Sequence, residues 1–370
     1  MKNETVFGRW EANCLLIILI GAKIFLNFPR VIEEIVGNAG WILVLVTTVL
    51  AFILFYIITR LYEPFEGMDL IDIADRAMGS AGKLIVGGVL IAYLIFTASI
   101  MLREFGEDMK TISFAMSPIS FMLILFIAGM IAAAYFGLEP IVRIAAILTP
   151  VIVAGYLIII LGVIPYYRFN NLYPLLGHGV DAIAANSIPQ LSMFSLFEML
   201  FLITPYIKTN KNMKRVGYSV LGASCFALIT STLVYALVYP YPVALENFLP
   251  IYQLARLINI GRFFQRIESM FVFIWAAGAL LHLSATFYLA IHLFAKIFRL
   301  KYQKPLIIPF AILVFNISLL PPSLMETIKL ETQFSKNYFA FISFGLPIMV
   351  LLIARIRKRT VKGAVECSER

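Results

Sequence analysis

The chain has 370 residues, of which 61% are hydrophobic, 14% charged and 14% aromatic, with a mean hydropathy of +0.91. Apolar runs of about 20 residues recur along its whole length, which excludes a soluble domain and implies a polytopic membrane protein. The net charge of +9 does not point to nucleic acid, because the lysines and arginines fall in short loops between apolar runs, where they act as topology signals.

From the N-terminus, Met1–Arg9 runs straight into an apolar segment without a small-residue cleavage site, so no cleavable signal is expected. Ten spans are predicted, at 11–36, 41–61, 82–108, 118–137, 139–164, 186–207, 216–239, 266–297, 305–320 and 337–355. They form one transmembrane domain over 1–370, with halves at 11–164 and 186–355 and a cytoplasmic tail at 356–370. With the N-terminus inside, inner segments carry 20 lysines and arginines and outer segments 8, which orients both termini to the cytoplasm. Two stretches outside the spans look interfacial: 69–79, and 247–260 with Phe248, Ile251, Leu254 and Ile258 on one face. Cys14, Cys225 and Cys367 are too widely spaced for a disulfide framework or a metal site.

The first span holds "GAKIFLNFP" (21–29) where a uniform apolar run is expected. Gly21 frees the backbone, and Pro29 removes a donor and disfavours helix at the residue before it. Unwound backbone survives in a bilayer only where protein or a water-lined cavity covers it. The alternative is a simple proline kink. The sixth span, "NSIPQLSMFSLFEMLFLITPYI" (186–207), carries Pro189, Gln190, Ser192, Ser195 and Glu198 through its first half. Interrupted helices that each begin one half of a transporter are the sequence pointer to an inverted repeat with a midplane site. Amides around Lys23–Leu26 are then expected to face a ligand carboxylate, and carbonyls around Leu191–Phe194 a ligand ammonium. Lys23 and Glu198 are buried charges on these two helices. Either they form an ion pair, or Glu198 carries a proton and Lys23 stands where a cation would be held.

The third span has Tyr93 and Thr97 on one face, as ligand contacts or as packing with the Tyr93 hydroxyl on a neighbouring carbonyl; Gly87 and Gly88 read as a packing pair. Glu139 and Arg143, four apart at the inner end of span five, are expected to pair with each other. In the eighth span Trp275, His282 and Thr286 share a face, and "AAGA" (276–279) admits close backbone approach. A histidine at this depth is either functional or neutral and hydrogen-bonded to a neighbouring helix. His178 and His292 lie too far away to complete a metal site. No nucleophile, base and acidic orienter fall at a catalytic spacing, and no phosphate loop is present, so an enzyme is not expected.

The segments "IFLNFPR" (24–30) with "GW" (40–41), "FGLEPIVRIAAIL" (136–148), "NNLYPLLGHG" (170–179), "FEMLFLITPYI" (197–207) and "RIESMFVFIW" (266–275) together resemble the spore germination permease family. Its members are GerAB-like B subunits of nutrient germinant receptors, within the amino acid–polyamine–organocation superfamily. The resemblance implies an all-α integral membrane protein, with ten transmembrane helices in a LeuT-type 5+5 inverted repeat and broken helices 1 and 6. It implies the inner membrane of a bacterial endospore, A and C subunits as partners, and an amino acid-like nutrient as ligand, with no cofactor. It places the pocket at Gly21, Ala22, Tyr93, Thr97, Ser195, His282 and Thr286, beside the Lys23 and Ser192 reached from the breaks. The chain departs from the family pattern in two places: Lys23 follows where a small residue is common, and His282 replaces a smaller or hydroxylated residue. Helix five offers only Arg143 near its inner end, so a built-in cation there is not supported. The expected function is a receptor subunit that senses nutrient by population shift; the alternative is an amino acid symporter with alternating access.

Overall fold

Asp69 caps the longest helix of the chain, its carboxylate accepting from the Asp72 amide at 2.9 Å. The computed structural model describes residues 7–207, 209–258 and 267–368. In chain order the helices are α1 (Arg9–Gly21), α2 (Phe28–Val36), α3 (Gly40–Tyr62), α4 (Leu70–Ile112), α5 (Ile119–Phe136), α6 (Leu138–Gly162), α7 (Val180–Ser187), α8 (Met199–Leu202) and α9 (Thr204–Ile207). They continue with α10 (Asn210–Val238), α11 (Pro250–Leu257), α12 (Ile267–Ile297), α13 (Ile307–Ser318), α14 (Leu324–Phe334) and α15 (Leu346–Ser368). Among the described residues there is no strand. Lys2, Lys208, Arg262, Arg266 and Arg370, counted above for orientation, lie outside the described residues, as does the side chain of Cys367.

Among the described residues seven helices are long and apolar enough to cross a membrane: Phe28–Phe65, Leu70–Ile112, Ile119–Phe136, Leu138–Tyr166, Asn210–Val238, Phe271–Ile297 and Leu324–Arg357. Lys304–Ser318 is a shorter apolar helix. The stretches 9–36 and 180–207 are each divided. In the first, α1 gives way to a 3-10 turn at Ala22–Phe25 before α2. In the second, α7 is followed by a 3-10 turn at Pro189–Phe194 and an extended Ser195.

The core is built by α1 between α6, α10 and α12, by α4 along α12, and by α3 along α10. Close approach is possible where a side chain is missing: a Cβ on Gly217 would overlap the Phe55 ring, and one on Gly87 would overlap Ile297. Gly88 meets nothing and is exposed, so only one of the two adjacent glycines packs. The long helices α5 and α6 have only 28% and 22% of their apolar windows buried, which leaves most of their apolar surface on the outside of the bundle. The stretch 69–79 is not a separate element. Its helix continues into the span through Gly79, which takes φ 71 and ψ −165 and bends the rod there. The segment after α10 folds into α11 with Ile251, Leu254 and Ile258 buried; Phe248 turns outward instead, under the Arg30 guanidinium at 4.9 Å.

Lys296 of α12 pairs with Asp69 and, at 2.8 Å, with Asp72, joining the end of α12 to the start of α4. Glu139 and Arg143 pair at 2.6 Å on the exposed face of α6, as their spacing predicts.

Candidate functional site

The two divided stretches meet through Lys23. Its side chain is 7% exposed, and its ammonium donates to the Ser192 carbonyl at 3.2 Å and the Ser195 hydroxyl at 2.5 Å. The Ser192 carbonyl also accepts from the Ser195 amide at 3.0 Å, closing the 3-10 turn. Of the carbonyls around Leu191–Phe194, that of Ser192 holds an ammonium supplied by the chain itself. Among the described residues Lys23 makes no ion pair with Glu198. Glu198, fully buried, instead accepts from the Ser343 hydroxyl at 2.9 Å with one oxygen, and its other oxygen has no partner.

The amides expected to face a carboxylate are also engaged differently. Ala22–Phe25 closes on itself, with the Leu26 amide donating to the Lys23 carbonyl at 3.1 Å. The uncapped amides lie a turn further on, at the start of α2, where Asn27 makes no side-chain cap and Pro29 contributes no donor.

Beyond Ser195 the chain turns sharply: Leu196 takes φ 70, a left-handed conformation that costs a leucine about 1–2 kcal/mol. Tyr93 holds it there, its hydroxyl accepting from the Leu196 amide at 3.0 Å. The Tyr93 ring packs edge-on against Phe339, 4.9 Å between centroids, in a π turn at Ser335–Phe339 that follows α14. A second π turn, Phe341–Gly345, carries Ser343 to Glu198. The packing alternative for Tyr93 has its hydroxyl on a carbonyl; here the hydroxyl accepts from an amide. Tyr93→Phe is expected to leave that buried amide unpaired, at a cost of about 1–3 kcal/mol, read as a lower melting temperature of the detergent-purified chain with the ring packing retained.

The remaining expected residues divide into two groups. Thr286 donates to the His282 carbonyl at 2.8 Å within its own helix. His282 is fully buried near the Ile18–Leu19 backbone, with both ring nitrogens outside hydrogen-bond geometry. It sits edge-on to Phe105, as does Trp275, whose indole N–H is also unpartnered. Thr97 is buried with its hydroxyl unpartnered.

Two cavities flank the Ala22–Phe25 turn. One, of about 190 Å³, is apolar, takes in Gly21, Ala22 and Phe25, and reaches the lipid-facing Val153, Leu157 and Phe226. The other, about 50 Å³, is polar and lies between the two divided stretches, α4 and α14. Lys23, Asn27, Gln190 and Ser192 line it from the divided stretches, Glu104 from α4 and Glu331 from α14. Asn27 is 4% exposed with neither amide atom partnered, and Glu104 is 1% exposed with Oε1 unpartnered. The turn thus separates Gly21 and Ala22 from Lys23 and Ser192, which the sequence grouped in one pocket. Glu104 and Glu331 are absent from the sequence expectations. Glu104 carried a signal: an ionisable side chain inside a predicted span, seven residues from Thr97 and so on the same face of the helix.

A family model described as spore germination protein matches residues 13–325. Spore germination protein YndE of Bacillus subtilis (strain 168) is 27% identical over 360 residues, which is 95% of this chain and 97% of the relative. Spore germination protein A2 of the same organism is 25% identical, covering 92% of this chain and 93% of its own, and spore germination protein KB is 22% identical, covering 86% and 83%. Among solved structures, a Na+-coupled sialic acid symporter in a substrate-bound outward-open state superposes with a TM-score of 0.66 at 12% identity, over 95% of this chain and 89% of that one. Mhp1, a nucleobase-cation-symport-1 family transporter closed around bromovinylhydantoin, gives 0.62 at 10% identity, over 92% and 78%. At these identities the likeness shows the fold alone: the chain is an integral membrane protein with the all-helical architecture of LeuT-type transporters.

Proposed function

This chain belongs to the spore germination protein family, and on that premise we propose that it is the nutrient-sensing B subunit of a germinant receptor. In this reading α3, the other six long helices, the short helix at 304–318 and the divided stretches 9–36 and 180–207 make ten crossings arranged as two inverted halves. The small, amino-acid-like germinant binds between the first and sixth crossings. The observation that carries the reading is the polar cavity between the two divided stretches, where Asn27 and Glu104 are buried with polar atoms unpartnered. Unpaired buried polar groups in a bilayer are costly, and a polar ligand is what would satisfy them. Binding acts by population shift: the ligand favours the arrangement of the halves in which these groups are paired, and A and C subunits in the inner spore membrane read the change.

The symporter architecture of the solved neighbours makes net transport the competing reading. Spores lacking this gene are expected to lose the response to one class of nutrient, while proteoliposomes holding the purified chain do not concentrate that nutrient. Concentrative uptake together with normal germination of the null spores would sink the receptor reading.

A further inference from the structure

In a zwitterion-binding site between two interrupted helices, the ligand's ammonium is drawn to the carbonyls that end the first half of the second helix. Here that seat is filled. The Lys23 ammonium donates to the Ser192 carbonyl and the Ser195 hydroxyl, and the Ser192 carbonyl takes the Ser195 amide as well. A second cation at the same oxygens would meet Lys23 at close range.

The geometry points to a displaced amine subsite: the nutrient's ammonium sits on the α4 side of the polar cavity, held by the Glu104 carboxylate and the Asn27 side-chain carbonyl, with Glu331 facing it from α14. This subsite rests on the reading of the cavity as the nutrient site.

Three independent observations converge on it. Glu104 and Asn27 are both more than nine-tenths buried, line the cavity and have polar atoms without partners, so the site contains acceptors still waiting for a donor. The charges that face it are unbalanced toward acid. Two carboxylates, Glu104 and Glu331, line it against the buried ammonium of Lys23. Arg103 points to Glu107 at 2.8 Å, and Lys336 is exposed at the rim, so neither neutralises the pocket. Finally, the volume fits a head group. The cavity is about 50 Å³ against the roughly 10–15 Å³ that admits one water, room for an amine and a short stem. A cationic donor also answers the chemistry of the two groups, because both free oxygens accept and an ammonium carries three donors.

The subsite makes the ligand's cation, rather than its anion, the feature this chain selects. The test uses the full chain purified in detergent, its melting temperature followed against ethylammonium, L-alanine and L-lactate at matched ionic strength. Ethylammonium and L-alanine should raise the melting temperature in a saturable way, and L-lactate, which puts a hydroxyl where alanine has its ammonium, should not. Glu104→Gln should weaken the apparent affinity for ethylammonium by about tenfold or more, while Glu139→Gln on the exposed face of α6 leaves it unchanged. Should Glu104→Gln fail to fold, Glu331→Gln on the half-exposed α14 is expected to weaken the same titration. Equal stabilisation by L-lactate, no saturable response to either amine, or an unaltered titration in the folded glutamine variant overturns the subsite. Null spores that germinate normally, beside amine binding that still depends on Glu104, would remove the receptor role and leave the subsite standing.

Discussion

Lys23→Met lowers the melting temperature of the purified chain by several degrees and abolishes the nutrient response of spores that carry it. Two losses add. The Ser192 carbonyl and Ser195 hydroxyl lose their donor in a buried setting, at about 1–3 kcal/mol for groups left unsatisfied. The carboxylates around the cavity also lose the buried cation that, among the described residues lining it, faces them, and an uncompensated buried charge costs about 3–5 kcal/mol. Methionine keeps the length and apolar stem of lysine, so the packing of the turn is spared and the charge is what is removed. The distinguishing result is chemical rescue. A short alkylammonium should raise the melting temperature of Lys23→Met by more than it raises that of the unsubstituted chain or of an exposed-lysine control such as Lys329→Met, because the vacated seat accepts a second free ammonium. A stable Lys23→Met protein with an unshifted nutrient dose response would mean that the lysine neither joins the two divided stretches nor belongs to the site.

The second large effect lies at the opposite end of the molecule. Lys296 reaches from α12 to both Asp69 and Asp72, and Asp69 is at the same time the cap of α4. Lys296→Met leaves Asp69 buried without its cation, which we expect to destabilise the chain by about 3 kcal/mol, the lower end of the range for a broken buried pair because Lys296 itself is partly exposed. Lys296→Arg keeps the charge and should recover most of it. The measurement is the melting temperature paired with amide hydrogen exchange over residues 70–79. Faster exchange there in Lys296→Met, with exchange over α10 unchanged, is the expected pattern. Uniform acceleration through all helices would indicate global loosening and not a local tie.

The class of protein and its architecture were legible because they are written in long-range averages. Mean hydropathy, the spacing of apolar runs and the placement of lysine and arginine need no contact information, and segments such as "NNLYPLLGHG" carry a resemblance to the family whose model matches residues 13–325. The site was only partly legible. Glycine, lysine, asparagine and proline inside one apolar run, and the polar first half of 186–207, drew attention to the stretches that line the polar cavity. What could not be read was pairing. Tyr93 looked equally suited to a ligand and to a carbonyl, and its actual partner, the Leu196 amide, exists only because Leu196 adopts a left-handed conformation that no leucine advertises. Lys23 offered two readings, and the choice depended on a carbonyl 169 residues away. Gly21 and Lys23 stand two apart in sequence and look like one site, yet a tight turn directs them to different cavities. Glu104 lies outside those expectations for the opposite reason: the apolar run around it has no interruption, and its place on the face of Thr97 is a weaker signal than a break, whereas the nearby Glu107 pairs with Arg103.

Helix α4 carries three of these features on one rod. Past Gly79 it runs without interruption, with Tyr93 at the turn of the 186–207 stretch and Glu104 at the polar cavity, about 16 Å apart at 1.5 Å of rise per residue. A rod that stiff cannot shift at one station and stay still at the other. If the proposed amine subsite at Glu104 draws α4 toward its ligand, the same tilt pulls or relaxes the hydroxyl that pins Leu196, while the bend at Gly79 lets the Asp69 end stay moored to Lys296. On that reading the helix is a lever with its fulcrum at Gly79, converting a small movement at the cavity into a change of backbone course in another helix.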